Sequence, residues 1–164
     1  MLTIKSAGLQ ELTTIQSLAH EIWPLTYRDI LSPGQLEYMI DKIYSISSLQ
    51  HQLVLLKHKF ILAFNDGKPV AFASYSADDT NTRYKLQKIY VLPGLQGTGT
   101  GKFILNNIIN IARVAGAVSI ELNVNRHNKA KRFYENFGFK IMEEADIDIG
   151  QGYYMNDYIM KLEL

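Results

Sequence analysis

The chain has 164 residues, of which 47% are hydrophobic and 20% are charged, proportions typical of a soluble globular protein. This length suits one compact domain, which we predict to cover residues 1–164. The formal net charge of +1 gives no reason to expect nucleic acid or a membrane surface as a partner, and the absence of cysteine excludes disulfides, thiol catalysis and cysteine–zinc sites.

The N-terminal segment predicts a strand followed by a helix. Leu2–Ser6 alternates apolar and polar side chains, as a strand does. The following helix is predicted over Leu9–Trp23, with Pro24 as its end. Its core-facing side chains recur at helical spacing: Leu12, Ile15, Leu18, Ala19 and Ile22.

Two serines mark the starts of two further helices. The run Ser32-Pro33-Gly34-Gln35 combines a capping serine, a first-turn proline and a glutamine three residues after the serine. This helix is predicted to continue to about Tyr44. Ser47 followed by Gln50 repeats the pattern and predicts a shorter helix through Leu56.

The middle of the chain predicts a hairpin. The turn Asn65-Asp66-Gly67-Lys68 separates two apolar segments, Lys59–Phe64 and Pro69–Ser76, and Asn/Asp-Gly pairs favour tight hairpin turns. The polar segment Asp78–Thr82 is predicted to be a loop.

The next elements alternate between strand and helix. Strands are predicted over Lys85–Leu92 and Ser119–Val124, with a helix over Lys102–Ala115 between them. The core-facing stripe predicted for this helix consists of Ile104, Ile108, Ile111 and Ala115.

The C-terminal part predicts a short helix and two strands. The helix covers Lys129–Phe137 and ends at Gly138, a suitable residue for a left-handed C-terminal cap. Strands follow over Phe139–Asp146 and Tyr153–Leu162. The element order predicts an α/β (α+β) domain with a mixed sheet.

Metal and membrane sites are not expected. Histidines 20, 51, 58 and 127 do not pair with carboxylates at metal-ligand spacing. No segment reaches the roughly 18 apolar residues of a spanning helix, and no secretory signal is visible. We therefore expect a cytoplasmic protein without a metal.

The run from Gln96 to Gly101 is the most informative segment. Three glycines follow a strand and precede a helix, the arrangement in which backbone N–H groups hold a phosphate. A nucleotide P-loop would need glycine at Gln96 and a hydroxyl at Phe103. A dinucleotide-binding loop would need glycine at Lys102 or Ile104, so neither nucleotide pattern matches.

A third pattern, Gln/Arg-x-x-Gly-x-Gly/Ala, matches without exception through Gln96, Gly99 and Gly101. A second block runs from Asn123 to Phe139 and contains a loop asparagine, Ala130, Phe133-Tyr134 and Gly138-Phe139. In both blocks the chain resembles the GCN5-related N-acetyltransferase (GNAT) superfamily. The resemblance covers about Leu86 to Phe139 closely.

The resemblance implies a fold and a ligand. The fold is a mostly antiparallel mixed sheet flanked by helices, with two parallel strands that splay apart at the site of acetyl-CoA, the acetyl donor. Two groups of residues would bind this ligand: Ile89, Tyr90 and Val91, whose backbone pairs with the pantetheine chain, and Gln96, Gly97, Thr98, Gly99, Thr100, Gly101 and Lys102, which surround the pyrophosphate.

The resemblance also implies roles in the second block. Asn128 matches the asparagine that hydrogen-bonds the pantetheine arm, and it is also a good helix N-cap. Lys131 is a candidate for the phosphates of CoA. Tyr134 matches the tyrosine that protonates the departing CoA thiolate, with packing in the core as the alternative role.

The general base and the acceptor stay open. The glutamate that some members carry on the strand before the phosphate loop is absent here, where Lys85, Gln87 and Lys88 stand. The carboxylates considered instead are those of Glu21, Glu37, Glu121 and Asp157, each of which is expected at the surface. The aromatic residues of Trp23–Tyr27 and Leu36–Ile40, together with Glu37, are candidates for lining an amine groove, with packing in the core as the alternative.

A primary amine is the expected acceptor, with a looser resemblance to bacterial spermidine/spermine acetyltransferases. Protein N-termini, aminoglycosides and amino acids remain alternatives, as does a non-catalytic module that binds acyl-CoA. A nucleotide-dependent kinase or ATPase is disfavoured by the loop mismatches. A homodimer is plausible.

Overall fold

The computed structural model describes every residue from Met1 to Leu164. Seven strands and five α-helices make up the regular structure, in the order β1 (Leu2–Ala7), α1 (Leu12–Tyr27), α2 (Pro33–Tyr44), α3 (Ile46–Val54), β2 (Lys59–Asn65), β3 (Lys68–Ala77), β4 (Arg83–Val91), α4 (Thr100–Val114), β5 (Ser119–Asn125), α5 (Ala130–Phe137), β6 (Lys140–Gly150) and β7 (Tyr153–Glu163). Short 3₁₀ turns at Leu9–Glu11 and Pro93–Leu95 precede α1 and follow β4.

The strands form one mixed sheet in the order β1-β2-β3-β4-β5-β7-β6. Strands β4 and β5 are parallel, whereas β1–β2, β2–β3, β5–β7 and β6–β7 are antiparallel. The parallel ladder pairs Arg83–Leu86 with Ser119–Leu122, which are the first four residues of each strand. The predicted fold class, a mostly antiparallel mixed sheet flanked by helices, is confirmed.

Internal contacts divide the chain into two compact units. We call Met1–Ser76 with Gln87–Ile108 the first unit, and Ala77–Leu86 with Ile109–Leu164 the second unit. Organisation as a single domain over residues 1–164 stays a prediction.

Helix α1 supplies much of the core of the first unit. The five side chains predicted to face the core are all buried. The prediction that Pro24 ends the helix is wrong, because α1 continues to Tyr27. Proline costs one backbone hydrogen bond, but the rings of Trp23 and Tyr27 pack with centroids 4.5 Å apart, and both residues are buried.

The start of α2 is confirmed and that of α3 differs by two residues. Ser32 Oγ accepts a hydrogen bond from the Gln35 backbone N–H at 3.2 Å. Helix α3 is capped by Ser45 rather than Ser47, since Ser45 Oγ accepts from the Ser48 N–H at 3.3 Å. One extended residue, Ser45, therefore both ends α2 and begins α3.

The predicted hairpin joins β2 to β3. Asp66 and Gly67 form the turn, with φ angles of 49° and 81°. Both residues have positive φ, which asparagine, aspartate and glycine tolerate best. The buried side chains of β2, Phe60 to Ala63, add to the core of the first unit.

Helix α4 begins at Thr100, two residues before the predicted start. Its buried apolar side chains are Ile104, Leu105, Ile108, Ile109 and Ala112. Ile104 and Ile108 were predicted correctly, Ile111 is half-buried, and the prediction for Ala115 is wrong because that residue is exposed beyond the helix end. The difference arises because the helix ends at Val114 and the chain turns at Gly116, where φ is 84°.

The second unit contains β5, β7 and β6 with helix α5. Strand β7 pairs with β5 from Ser119–Glu163 to Asn125–Asp157, and β6 lies on its other side. Helix α5 ends at Gly138, whose φ of 100° confirms the predicted left-handed cap.

Candidate active site

The glycine loop follows β4 after the short 3₁₀ turn at Pro93–Leu95. Gln96 Nε2 donates to the Val91 carbonyl at 3.3 Å, and the Thr98 N–H donates to the Leu95 carbonyl at 3.3 Å. Thr98 Oγ1 also donates to the Leu95 carbonyl. These contacts between the strand end and the loop fix the loop's conformation.

Two of the three loop glycines adopt a conformation that other residues avoid. The φ angles of Gly97 and Gly99 are 80° and 93°. An added Cβ at either position would meet no atom within 4 Å, so the space beside the loop is open. Glycine is therefore required by the backbone conformation, and its bare surface lets a ligand approach closely.

The loop leads into the N-terminus of α4. The first helical hydrogen bond runs from the Phe103 N–H to the Gly99 carbonyl at 2.9 Å. The N–H groups of Thr100, Gly101 and Lys102 therefore precede the helical hydrogen-bond ladder and carry the positive end of the helix dipole. Lys102 is exposed, and Thr100 is buried with its Oγ1 3.1 Å from Thr98 Oγ1. This geometry fits a pyrophosphate.

The predicted pantetheine strand, Ile89 to Val91, is half-buried in the first unit. Tyr90 lies in an aromatic cluster, with its hydroxyl 2.9 Å from that of Tyr27. Its ring centroid is 5.5 Å from that of Trp23 and 5.6 Å from that of Phe72. The aromatic residues of Trp23–Tyr27 thus pack in the core, which was the alternative considered for them.

Lys88 is a cation without a carboxylate partner. Its Nζ donates to Gln52 Oε1 at 2.5 Å and lies 5.6 Å from the centre of the Phe60 ring. Burial lowers the pKa of Lys88 to about 8, because the charged form loses its hydration. Sequence reasoning missed this environment, since Gln52 lies 36 residues away along the chain.

A cavity of about 550 Å³ opens between α1 and α2 of the first unit. Four apolar side chains line it together with the carboxylates of Glu37 and Asp41. Its full lining is Gln16, His20, Pro33, Leu36, Glu37, Ile40, Asp41, Ser45 and Ile46. Aliphatic walls beside two carboxylates suit a cationic alkyl chain.

In the second unit, Asn128 lies two residues before α5. The N-cap position itself is taken by Lys129, so the predicted N-cap role of Asn128 is off by one residue. Asn128 Oδ1 accepts from the Ala130 N–H at 2.9 Å. Lys131 forms an ion pair with Glu135 at 3.1 Å and lies over the ring of Tyr158, with Nζ 5.3 Å from its centre. Contact between Lys131 and a phosphate would therefore compete with Glu135.

Tyr134 is buried in the second unit and packs against two phenylalanines. Its ring centroid lies 5.3 Å from that of Phe133 and 5.8 Å from that of Phe139. The core position considered for Tyr134 is thus observed, and it holds the phenol in a fixed orientation.

The four carboxylates considered as bases have different environments. Glu21 and Glu37 are exposed and Glu121 is half-buried, but Asp157 is only 6% exposed. The expectation that Asp157 lies at the surface is wrong. Its burial follows from the pairing of β5 with β7, which places Asp157 opposite Asn125.

The predicted ligand-binding residues thus form two groups. The first unit brings together Ile89–Val91 and Gln96–Lys102, and the second unit holds Asn128, Lys131 and Tyr134. No group of three or more His, Cys, Asp or Glu side chains that would hold a metal ion is present. No helix has both the length and the apolar composition needed to cross a membrane.

The chain is similar to known N-acetyltransferases over most of its length. A Mycobacterium tuberculosis N-acetyltransferase is 29% identical over 92% of this chain and 96% of its own length. The spermidine N(1)-acetyltransferase of Thermoplasma acidophilum is 27% identical over 87% of this chain and 90% of its own length. The crystal structure of the PaiA N-acetyltransferase of T. acidophilum in complex with coenzyme A has a TM-score of 0.84, 25% identity, and coverage of 100% of this chain and 99% of that one.

The family model of the GNAT acetyltransferases matches residues 15–139, which include the glycine loop, Asn128, Lys131 and Tyr134. The chain is therefore an acetyl-CoA-dependent N-acetyltransferase and belongs to the GNAT family.

Proposed function

We propose that this enzyme transfers the acetyl group of acetyl-CoA to a primary amine of a small cationic molecule, with a polyamine as the leading candidate. The observation that carries this proposal is the glycine loop, with open space at Gly97 and Gly99 and three unused N–H groups at the start of α4. Since the chain has no cysteine, no acyl-cysteine intermediate is available, and the amine attacks directly in a ternary complex.

The proposed binding residues follow the two groups described above. The N–H groups from Gly97 to Lys102 hold the pyrophosphate, with Thr98 and Lys102 as side-chain contacts. The backbone of Ile89–Val91 pairs with the pantetheine chain, and its N–H groups stabilise the oxyanion that develops on the carbonyl. Asn128 Nδ2 remains available to the pantetheine arm while Oδ1 accepts the Ala130 N–H. Lys131 contacts a phosphate once its ion pair with Glu135 is broken.

The proposed chemistry needs an acid and a base. Bound acetyl-CoA supplies the thioester carbonyl that the amine nitrogen attacks. The Tyr134 hydroxyl donates a proton to the departing sulfur, and the fixed packing of its ring against Phe133 and Phe139 holds it in place. A base must also remove the proton that the acceptor ammonium carries at neutral pH.

Two observations support a polyamine acceptor. The chain is similar over most of its length to a spermidine N(1)-acetyltransferase. The cavity between α1 and α2 offers the carboxylates of Glu37 and Asp41, which take part in no ion pair, beside an aliphatic wall. A peptide N-terminus is the alternative acceptor. A homodimer and a cytoplasmic location stay predictions.

The test is CoA thiol release across an amine panel. We expect the highest kcat/KM with spermidine or spermine, and lower values with peptide N-termini, aminoglycosides and amino acids. A peptide that outperforms every polyamine would replace the proposed acceptor. Tight acetyl-CoA binding without thiol release on any amine would favour a non-catalytic acyl-CoA-binding module instead.

A further inference from the structure

Asp157 is a buried carboxylate in the first half of β7. Only 6% of the residue is exposed, and it lies opposite Asn125, the last residue of β5. Carboxylates are rarely buried to this degree without a cationic partner, because burial removes their hydration. The position therefore calls for an explanation.

The Asp157 carboxylate has one weak hydrogen bond and one oxygen without a partner. Asn123 Nδ2 donates to Oδ2 at 3.4 Å, whereas buried Oδ1 accepts no hydrogen bond. A buried acceptor left unpaired costs stability, and such groups are retained chiefly where they have a use.

Neighbouring cations do not neutralise Asp157. Arg126 Nη2 is bound to Asp146 Oδ1 at 2.7 Å, and Nη1 donates to the backbone carbonyl of Asp157 rather than to its carboxylate. Lys85 acts on the carboxylate through its charge but forms no ion pair with it. Because burial outweighs the hydrogen bond from Asn123 and the charges of Arg126 and Lys85, the pKa of Asp157 is raised above that of an ordinary aspartate.

The sheet register places Asp157 beyond the parallel ladder. The pairing of β5 with β4 ends at Leu122, whereas its pairing with β7 continues to Asn125 and Asp157. Asp157 thus flanks the part of β5 that extends past the parallel ladder. Strand β4 also continues past this ladder, through Ile89–Val91, the segment proposed to pair with pantetheine.

We propose that Asp157 is the general base of this enzyme, and that its unpaired Oδ1 receives the proton of the acceptor ammonium. This inference rests on the proposed transfer to a primary amine. The ammonium R–NH₃⁺ donates its proton to the carboxylate, which gives R–NH₂ and the neutral carboxylic acid. The freed lone pair forms the new C–N bond as the C–S bond breaks and the sulfur takes the proton of Tyr134. The second N–H proton lost by the nitrogen restores Tyr134, and Asp157 returns the first proton to water. Asn123 orients the carboxylate through Oδ2.

The first test compares Asp157→Asn with Glu163→Gln, a control on the same strand whose side chain is exposed and paired only with Lys161. We expect Asp157→Asn to lower kcat/KM for the amine by about 100-fold or more, as loss of a general base does, with the Kd for acetyl-CoA within about twofold. Glu163→Gln should stay within about twofold in both.

The pH profile separates a catalytic role from a structural one. The wild-type enzyme should show a plateau that falls off at low pH, where Asp157 becomes protonated. Asp157→Asn should lack this plateau and rise about tenfold per pH unit, because only the free amine then reacts. A variant that keeps the wild-type profile and rate would overturn the proposal.

An NMR measurement on the wild-type protein does not depend on whether a variant folds. Carbon-13 NMR of the Asp157 carboxyl should show a raised pKa that falls when spermidine and CoA are added, since a bound ammonium favours the carboxylate. An unchanged pKa in that complex would contradict the inference. If the wild type acetylates an amine while the Asp157 tests fail, only the inference is wrong. If it acetylates no amine, the proposed function fails and the inference with it.

Discussion

The hydroxyl oxygens of Tyr27 and Tyr90 lie 2.9 Å apart and join the last residue of α1 to β4. Tyr27 reaches this position only because α1 continues past Pro24. Tyr90, the other partner of this hydrogen bond, belongs to the segment proposed to pair with pantetheine. The contact therefore ties an N-terminal helix to the backbone that is proposed to stabilise the oxyanion.

A double-mutant cycle measures this bond. Tyr27→Phe alone should lower the free energy of unfolding by about 1 kcal/mol, and the coupling energy with Tyr90→Phe should be of similar size, because an intramolecular hydrogen bond contributes about that much. Urea unfolding of the wild type, both single variants and the double variant gives the value. Strictly additive effects would show that the hydroxyl pair does not stabilise the protein.

The lowered pKa of Lys88 predicts an unusual dependence of the free energy of unfolding on pH. Its pKa is about 8 in the folded protein and 10.5 when exposed, so between these values the unfolded chain binds more protons than the folded one. Stability therefore rises with pH across this window. Below pH 8 the buried ammonium imposes its full cost, of at most about 3 kcal/mol by the conversion of 1.36 kcal/mol per pKa unit.

Lys88→Met removes this cost. The variant should be more stable than the wild type at pH 7, and the difference should shrink from pH 8 towards pH 10.5. The gain is smaller than the full cost because Gln52 Oε1 loses its donor. Lys59→Met, at an exposed position on β2, is the control and should change stability little at any pH. A Lys88→Met variant with the wild-type pH dependence would contradict the burial argument.

Gly99 and Gly116 form a matched pair at the two ends of α4. Their φ angles are 93° and 84°, and an added Cβ meets no atom within 4 Å at either position. Alanine should therefore impose a similar backbone strain of about 1–2 kcal/mol at both sites. Only Gly99→Ala also fills space beside the proposed pyrophosphate site.

We expect both alanine variants to unfold at similarly lowered temperatures, while only Gly99→Ala raises the Kd for acetyl-CoA, by about tenfold or more. Isothermal titration calorimetry on the two variants gives the comparison. If Gly116→Ala weakens acetyl-CoA binding equally, the effect reflects general destabilisation and the loop assignment loses its support.

Local patterns in the sequence were sufficient for most elements and for the loop. The Ser32 cap, the Asp66–Gly67 turn and the Gly138 cap depend on neighbouring residues, and all three were predicted correctly. The errors occur where contacts between residues far apart in the chain determine the structure. Pro24 stays within a helix because of ring packing, and Asp157 is buried because β7 pairs with β5. A single sequence does not specify those long-range pairings.

Tyr134→Phe tests the proposed general acid. The ring contacts with Phe133 and Phe139 are retained in the variant, so the fold should be preserved. Turnover should fall by about 10²–10⁴-fold, the usual contribution of a positioned acid, because the departing thiolate must then take its proton from water. The Kd for acetyl-CoA should change by less than about twofold, since the hydroxyl is assigned to the departing sulfur rather than to binding.

The control is Tyr154→Phe, which removes a hydroxyl from a residue of the same unit that is 49% exposed. Its turnover should match that of the wild type. Leaving-group dependence gives a second readout: acyl donors whose thiols are more acidic need less help from an acid, so they should recover part of the rate lost in Tyr134→Phe. Equal loss with all donors would assign Tyr134 to packing alone, because a displaced backbone would slow every donor alike.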